Sequence, residues 1–218
     1  MNAATSAPTL PELDRQVDAY VAAGYPALAG MELADFRALF APVAAQASAL
    51  GLGQEADAAA GTLPFLAVVT DALVDPAVRV PRLRLAGSAR EGILDRNHGG
   101  EGLAPYRVRE ELGVPDAPVY LLTGIDRGDE FRGVAPAQTR PVLAERRRSP
   151  LTIAEGLSLV AAHPEMLVKN HCFMLDGSTR GDKRVPALWI SERSPKLGWC
   201  FDKVPHTWLG IASAAGRH

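Results

Sequence analysis

The sequence predicts an α+β fold, and three observations carry that prediction. Helical spacing of apolar residues dominates the N-terminal part, and strand-length apolar runs begin at Leu63. The last quarter of the chain then holds short strand candidates separated by Gly, Pro, Asp and Ser. Helices first and strands later, with one clear helix near 152–162, argue against a repeating βαβ pattern.

Residues 1–9 are small, polar and terminal and read as a disordered tail, leaving 10–218 as a single globular domain. From Pro11, the spacing of Leu13, Val17, Tyr20 and Val21 predicts a helix, with Gly24 just past its end. Gly24-Tyr25-Pro26 reads as a turn. A second helix is expected from Glu32, carrying Leu33, Phe36, Leu39, Phe40 and Val43 on one face, and Pro42 should kink or split it. The Ala- and Gly-rich stretch from Ala44 to Gly61 continues as helix or loop. Phe65 to Thr70 is a buried-strand pattern, and the alternation over Val78 to Leu85 suggests an edge or bulged strand because of Pro81. Residues 87–118 are rich in Gly and Pro and read as loop, and Val119 to Ile125 as a strand. Thr152 and Glu155 form a capping-box pattern opening a helix that runs to Ala162, before Pro164. His171 to Leu175, Ala187 to Ser191, Leu197 to Phe201 and Trp208 to Ala212 then suggest an antiparallel meander.

Composition narrows the function classes. With 218 residues, 47% hydrophobic and 22% charged, the chain can bury a sizeable core, so disorder is excluded as its main state. Twenty-three Lys and Arg against 25 Asp and Glu give a net charge of −2, without the basic excess of a dedicated nucleic-acid binder. The N-terminus lacks a basic region before an apolar stretch, and the longest apolar run, Phe65 to Val69, is far too short to cross a membrane. Cys172 and Cys200 then read as free thiols in a reducing compartment. These features predict a soluble, cytoplasmic protein with no membrane partner. No cofactor motif emerges: there is no phosphate loop, no Gly-x-Ser-x-Gly elbow and no His-Glu-x-x-His pair.

Chemistry-bearing residues crowd the C-terminal third. It holds all three tryptophans (Trp189, Trp199, Trp208), both cysteines and four of the five histidines: His163, His171, His206 and His218. Cys172, Cys200, His206 and His171 suggest a metal site. However, adjacent residues on a strand face opposite ways and no local ligand pair exists, which favours two buried thiols and no metal. A nucleophilic cysteine activated by His206 is opposed by the core-like setting of Cys200 between Trp199 and Phe201. The acids Asp126, Asp129 and Glu130 follow a strand, where they serve either acid/base chemistry or the turn itself. Arg146-Arg147-Arg148 reads as a solvated run. The densest group is Arg180, Lys183, Arg184 and Lys196 around a Gly-containing loop, with Trp199 and Trp208 as flat apolar walls. It suggests a pocket for a carboxylate or phosphate, against the alternative of a charged turn in which Asp182 pairs with a basic neighbour.

Several segments together resemble a family of small actinobacterial proteins known only as a domain of unknown function. They are Leu13-Asp14-Arg15-Gln16-Val17, Gly24-Tyr25-Pro26-Ala27-Leu28-Ala29-Gly30-Met31, and Pro150-Leu151-Thr152-Ile153 with Glu155-Gly156. The likeness continues through Arg184-Val185-Pro186-Ala187-Leu188-Trp189-Ile190-Ser191, Pro195-Lys196-Leu197-Gly198-Trp199-Cys200 and Pro205-His206-Thr207-Trp208-Leu209-Gly210. It implies a soluble single-domain protein and carries no activity, cofactor or catalytic residue. The stretch from Ala86 to Glu111 matches least well and is where a specialised role would lie.

Two function classes follow. In the first, the protein binds or transforms a small anionic or polar metabolite. Arg180, Lys183, Arg184, Lys196, Trp199 and Trp208 hold it, and His206 and Asp182 serve as general acid/base and its partner. In the second, it is a non-catalytic adaptor or regulator whose exposed aromatics meet another protein. A concave pocket around Trp199 and Trp208 would favour the first, a flat apolar patch the second. The sequence sets no oligomeric state.

Overall fold

The computed structural model describes residues 10–52 and 58–218, so the tail read at 1–9 lies outside the described residues. Helix α1 (Pro11–Ala22) begins on its proline, carries Glu12 and Asp14 at the positive end of its dipole, and buries Leu13, Val17 and Tyr20. Gly24 follows it at φ +82°, a backbone conformation that L side chains rarely adopt. The predicted turn is itself helical: α2 (Tyr25–Leu28) is a single turn. Pro42 splits the next helix into α3 (Leu33–Ala38) and α4 (Ala41–Ala49), where it sits in the first turn and its missing N–H costs nothing. Strand β1 (Thr62–Val69) contains the apolar run.

The segment read as a strand over Val78 to Leu85 is helical. Asp75 caps α5 (Pro76–Arg79) by accepting from the Ala77 N–H at 2.7 Å, and a 3-10 turn at Val80–Arg82 continues it. Alternation misleads here because Arg79 is fully buried. Its guanidinium donates to the carbonyls of Val69 and Ala154 and to the Ser158 hydroxyl at 2.7–3.0 Å. The loop-rich region that follows contains the two-residue strands β2 (Ile93–Leu94) and β3 (Arg107–Val108) and two 3-10 turns, Arg96–His98 and Glu110–Leu112. After β4 (Val119–Asp126) comes α6 (Pro136–Glu145), a helix the sequence reading does not include. Pro141 lies inside it at a cost of about 3 kcal/mol, set against the burial of Pro136, Thr139 and Leu143.

The remaining elements are β5 (Ser149–Pro150), α7 (Ile153–Ala162), β6 (Cys172–Met174), β7 (Ser178–Thr179), β8 (Arg184–Ser191), β9 (Ser194–Phe201), β10 (Leu209–Ile211), β11 (Ser213–Ala214) and β12 (Gly216–Arg217). One sheet has the order β1-β4-β11-β5, with β12 also on β4, and a second has the order β10-β6-β8-β9-β2. The expected antiparallel arrangement holds for β6, β8 and β9; β8 and β9 join through a tight turn at Glu192 and Arg193, both at positive φ. Both edges of this sheet depart from a meander: β10 lies parallel to β6 and β2 parallel to β9. The fold is α+β.

Helix α7 is the centre of the molecule and is buried nearly all round. Thr152 and Glu155 form the predicted capping box at 3.2 and 2.7 Å. The same Glu155 carboxylate accepts from Arg217 on β12 at 2.6 and 2.9 Å and from the Tyr120 hydroxyl at 2.6 Å. On one side α7 presses Gly156 against Leu175, where a Cβ would come within 2.4 Å of Leu175 Cδ2. On the other it packs on β1. The outer edge of β1 is covered by side chains: Gln16 bonds Ala67 N–H and Phe65 C=O, Tyr20 bonds Ala67 C=O, and Ser158 accepts from Val69 N–H. An exposed strand edge is thereby closed to further pairing. Among the described residues no helix is long and apolar enough to cross a membrane.

Candidate functional site

The basic loop at 180–184 and the poorly matched stretch 86–111 meet in space. Parallel pairing of β2 with β9 brings Asp95 beside Leu197, whose carbonyl accepts from the Asp95 N–H at 2.9 Å. Asp95 then caps a 3-10 turn, Arg96–His98, by accepting from Asn97 N–H at 2.9 Å, and it also pairs with Lys196 at 3.0 Å. This turn drives His98 into the interior, where it is 3% exposed. Downstream, β3 pairs with β7 with Arg107 opposite Thr179, so Tyr106 and Arg180 fall next to each other at the end of the ladder. The His98 ring meets the Tyr106 ring edge-on at 5.7 Å, and the Arg180 guanidinium lies 5.7 Å from the centre of the same ring.

The hydrogen bonding of this group is incomplete. Arg180 uses Nε on Asp182 at 3.3 Å and Nη2 on Glu101 at 3.2 Å, while its buried Nη1 has no partner. Both ring nitrogens of His98 and the Tyr106 hydroxyl are buried and unpartnered as well. Six buried side-chain polar atoms lack a partner among the described residues, and four of them are in this cluster. Each such atom costs about 1–3 kcal/mol when nothing satisfies it. Burial, assisted by the charges of Arg180 and Arg184, pushes the His98 imidazole below its ordinary value, against the opposing pull of the Leu197 carbonyl and Asp95. Burial also pushes the Tyr106 hydroxyl up to about 12. His98 is thus neutral near pH 7 and Tyr106 remains a hydrogen-bond donor.

The residues singled out from sequence divide between two faces of the β8–β9 sheet. Strand alternation places Arg184 and Trp199 on one face and Trp189 on the other. Arg184 stacks on Trp199 at 4.9 Å and pairs with Asp182 at 3.3 Å, and the Trp199 indole donates to the Asn97 carbonyl at 3.0 Å. Trp208 packs instead on Trp189, whose ring lies over Gly198, at 6.2 Å, and His206 packs on Trp208 at 5.6 Å. The two expected walls, Trp199 and Trp208, therefore do not face one pocket. The expected pair His206 and Asp182 is not brought together: Asp182 joins Arg180 and Arg184 and accepts from the Arg184 N–H, closing its own turn. Burial pushes His206 below its ordinary value. Lys183 is exposed on the same turn.

The other candidates are structural in their contacts. Cys172 and Cys200 are free and buried; burial raises both thiols, Cys200 to about 11. Asp126 accepts from Gly128 N–H, Glu130 pairs with Arg146, and Asp129 is held by Arg127 at 2.6 and 3.0 Å and by His171 at 2.8 Å. Among the described residues no group of three or more His, Cys, Asp and Glu side chains could hold a metal ion. Clefts of about 390 and 120 Å³ share Pro115, Ala117 and Tyr120, away from the cluster. Their walls are mostly apolar, and the Tyr120 hydroxyl is already committed to Glu155.

Sequence reasoning thus finds Arg180, Asp182, Arg184, Lys196 and Trp199 and misses Asp95, His98 and Tyr106. The one histidine outside the C-terminal third was the available signal. No curated protein and no solved structure matches the chain. A family of unknown function, DUF5701, matches residues 19–218, every residue of this cluster included, and the chain belongs to that family.

Proposed function

We propose that this protein binds a small polar or anionic metabolite in the cluster formed by His98, Tyr106 and Arg180. The observation that carries the reading is the concentration there of buried, unpartnered hydrogen-bonding atoms from three separate segments. A fold that leaves only two other buried side-chain polar atoms unpartnered among the described residues has such a set unpaired where a ligand completes it. The proposal keeps Arg180, Asp182, Arg184, Lys196 and Trp199 from the sequence reading and replaces His206 and Trp208 by His98 and Tyr106. On this reading a ligand enters by movement of the loop between Asp95 and Tyr106, which carries His98 and turns at Gly99. An actinobacterial source and a cytoplasmic setting belong to the same reading, supported by the Ala-, Gly-, Pro- and Arg-rich composition and by two free thiols.

A thermal-shift screen of small organic and phosphorylated acids tests it. A ligand at 100 times its Kd should add about 2.7 kcal/mol to wild-type stability and nothing to Arg180→Met. Equal stabilisation of both proteins, or none of either, would defeat the assignment. The alternative of a protein-docking surface draws on Phe201 and Val204, exposed at 50% and 41% beyond Trp199. Phe201→Ser leaves metabolite binding intact on the proposal made here.

A further inference from the structure

The charges around His98 are balanced, and that balance bears on what the site can hold. Three cations adjoin the cluster: Arg180 after β7 and Arg184 on β8, with Lys196 on β9 reaching it from the Trp189 face through Asp95. Three anions answer them: Glu101 and Asp182 on the two guanidinium groups, and Asp95 on Lys196. Tyr106 adds a neutral hydroxyl. The uncommitted polar atoms are one guanidinium nitrogen, one hydroxyl and the two nitrogens of an imidazole.

A dianion entering this group would bring two charges against buried atoms of a set with no net positive charge. Burying uncompensated charge is severely unfavourable. A single carboxylate brings one charge, and the cluster has one group able to become a cation without breaking an existing ion pair. That group is His98, which has no ion pair to lose. We propose, building on the binding site assigned above, that the ligand is a monocarboxylate held by Arg180 Nη1 and the Tyr106 hydroxyl, and that it enters together with a solvent proton taken up by His98. The protonated imidazole then faces the carboxylate, and neither Asp182 nor Asp95 has to release its partner. His98 is in this scheme a ligand-binding group whose charge follows occupancy.

Calorimetric titration with acetate, benzoate, succinate and inorganic phosphate tests the scheme. The titrations use wild-type protein at pH 7.5 in two buffers of different ionisation enthalpy. Acetate and benzoate should bind with buffer-dependent heats corresponding to uptake of about one proton, and their affinity should fall up to about tenfold per pH unit as pH rises. Succinate and phosphate should bind at least ~10-fold more weakly, because they add a second charge. His98→Gln should bind acetate without the buffer dependence, its folding checked by near-UV circular dichroism. The wild-type pH dependence carries the test if that variant does not fold. Monocarboxylate binding with no proton uptake, or phosphate binding as tight as acetate, overturns this inference and leaves the binding site standing. Failure of all four probes to bind removes the site and the inference together.

Discussion

His163 and His98 lie equally deep in this fold, at 1% and 3% exposure, in opposite kinds of surroundings. His163 ends α7 and is held from both sides, by Glu12 on α1 at 3.0 Å and by Glu165 at 3.0 Å, with Arg15 alongside. His98 ends a 3-10 turn at the edge of the second sheet, with neither ring nitrogen partnered. The first arrangement fastens the N-terminal helix to the central one and needs nothing from outside the chain. The second leaves its polar capacity unused. Burial of a polar group therefore marks two different roles, and the count of its partners separates them.

Removing each histidine is the strongest way to break this comparison. His163→Ala should cost about 2–3 kcal/mol, below the 3–5 kcal/mol typical of a broken buried pair, because Glu12 and Glu165 still reach solvent. His98→Leu should be neutral or add up to about 1 kcal/mol, because it deletes two poorly satisfied atoms and breaks no ion pair. Urea unfolding midpoints decide the matter. A His98→Leu protein less stable than wild type by more than about 2 kcal/mol would show that the imidazole is a structural group after all.

The response to pH should differ in sign as well as size. Burial acts to lower His163, but the hydrogen bonds with Glu12 and Glu165 outweigh it and raise its folded value above the ordinary 6.5. Its contribution is complete below 6.5 and is lost as pH rises through the raised value. His98 is lowered instead, so its region is unpenalised above 6.5 and loses stability as pH falls from there through the lower folded value. Unfolding midpoints from pH 5 to 9 should lose their alkaline decline in His163→Gln and part of their acid decline in His98→Leu. Identical profiles for both variants would mean that neither histidine titrates as its surroundings require.

The same contrast explains what could be read from the sequence. Helix α7 was legible because its signal is local: Thr152 and Glu155 satisfy each other within one turn. The β8–β9 hairpin and the apolar run of β1 were legible for similar reasons. Arg79 was not. Its neighbours Val78 and Val80 mimic a strand with an exposed arginine, and its true partners, Val69, Ala154 and Ser158, come from other elements. The candidate site splits along the same line. Arg180, Asp182 and Arg184 lie within five consecutive residues, and their density draws attention unaided. His98 and Tyr106 join them only through two-residue ladders, β2 on β9 and β3 on β7, too short to leave a periodic pattern. Trp208 was misassigned because its position depends on a parallel pairing at the sheet edge that no hairpin spacing announces.

Matched glycines, one in each region, sharpen the comparison with the smallest effect. Gly24 follows α1 at φ +82°, and Gly99 follows His98 at φ +78° and ψ −171°; an added Cβ at either would meet open space. Alanine at both therefore tests backbone conformation alone, at a cost of about 1–2 kcal/mol. The consequence depends on what each glycine is coupled to. Gly24 terminates a helix that covers the edge of β1 and grips His163, so Gly24→Ala should lower global stability by the full cost. Gly99 belongs to the loop that carries His98 and Tyr106, with three buried unpartnered atoms between them, so Gly99→Ala should act locally. Amide exchange of His98 and Tyr106, whose N–H groups bond only to Asp95 and Leu103 within the loop, should accelerate several-fold. Exchange in α7 should stay unchanged. Acceleration in α7 as well would mean that the loop opens only when the whole domain does, and that it cannot serve as the entrance to the site.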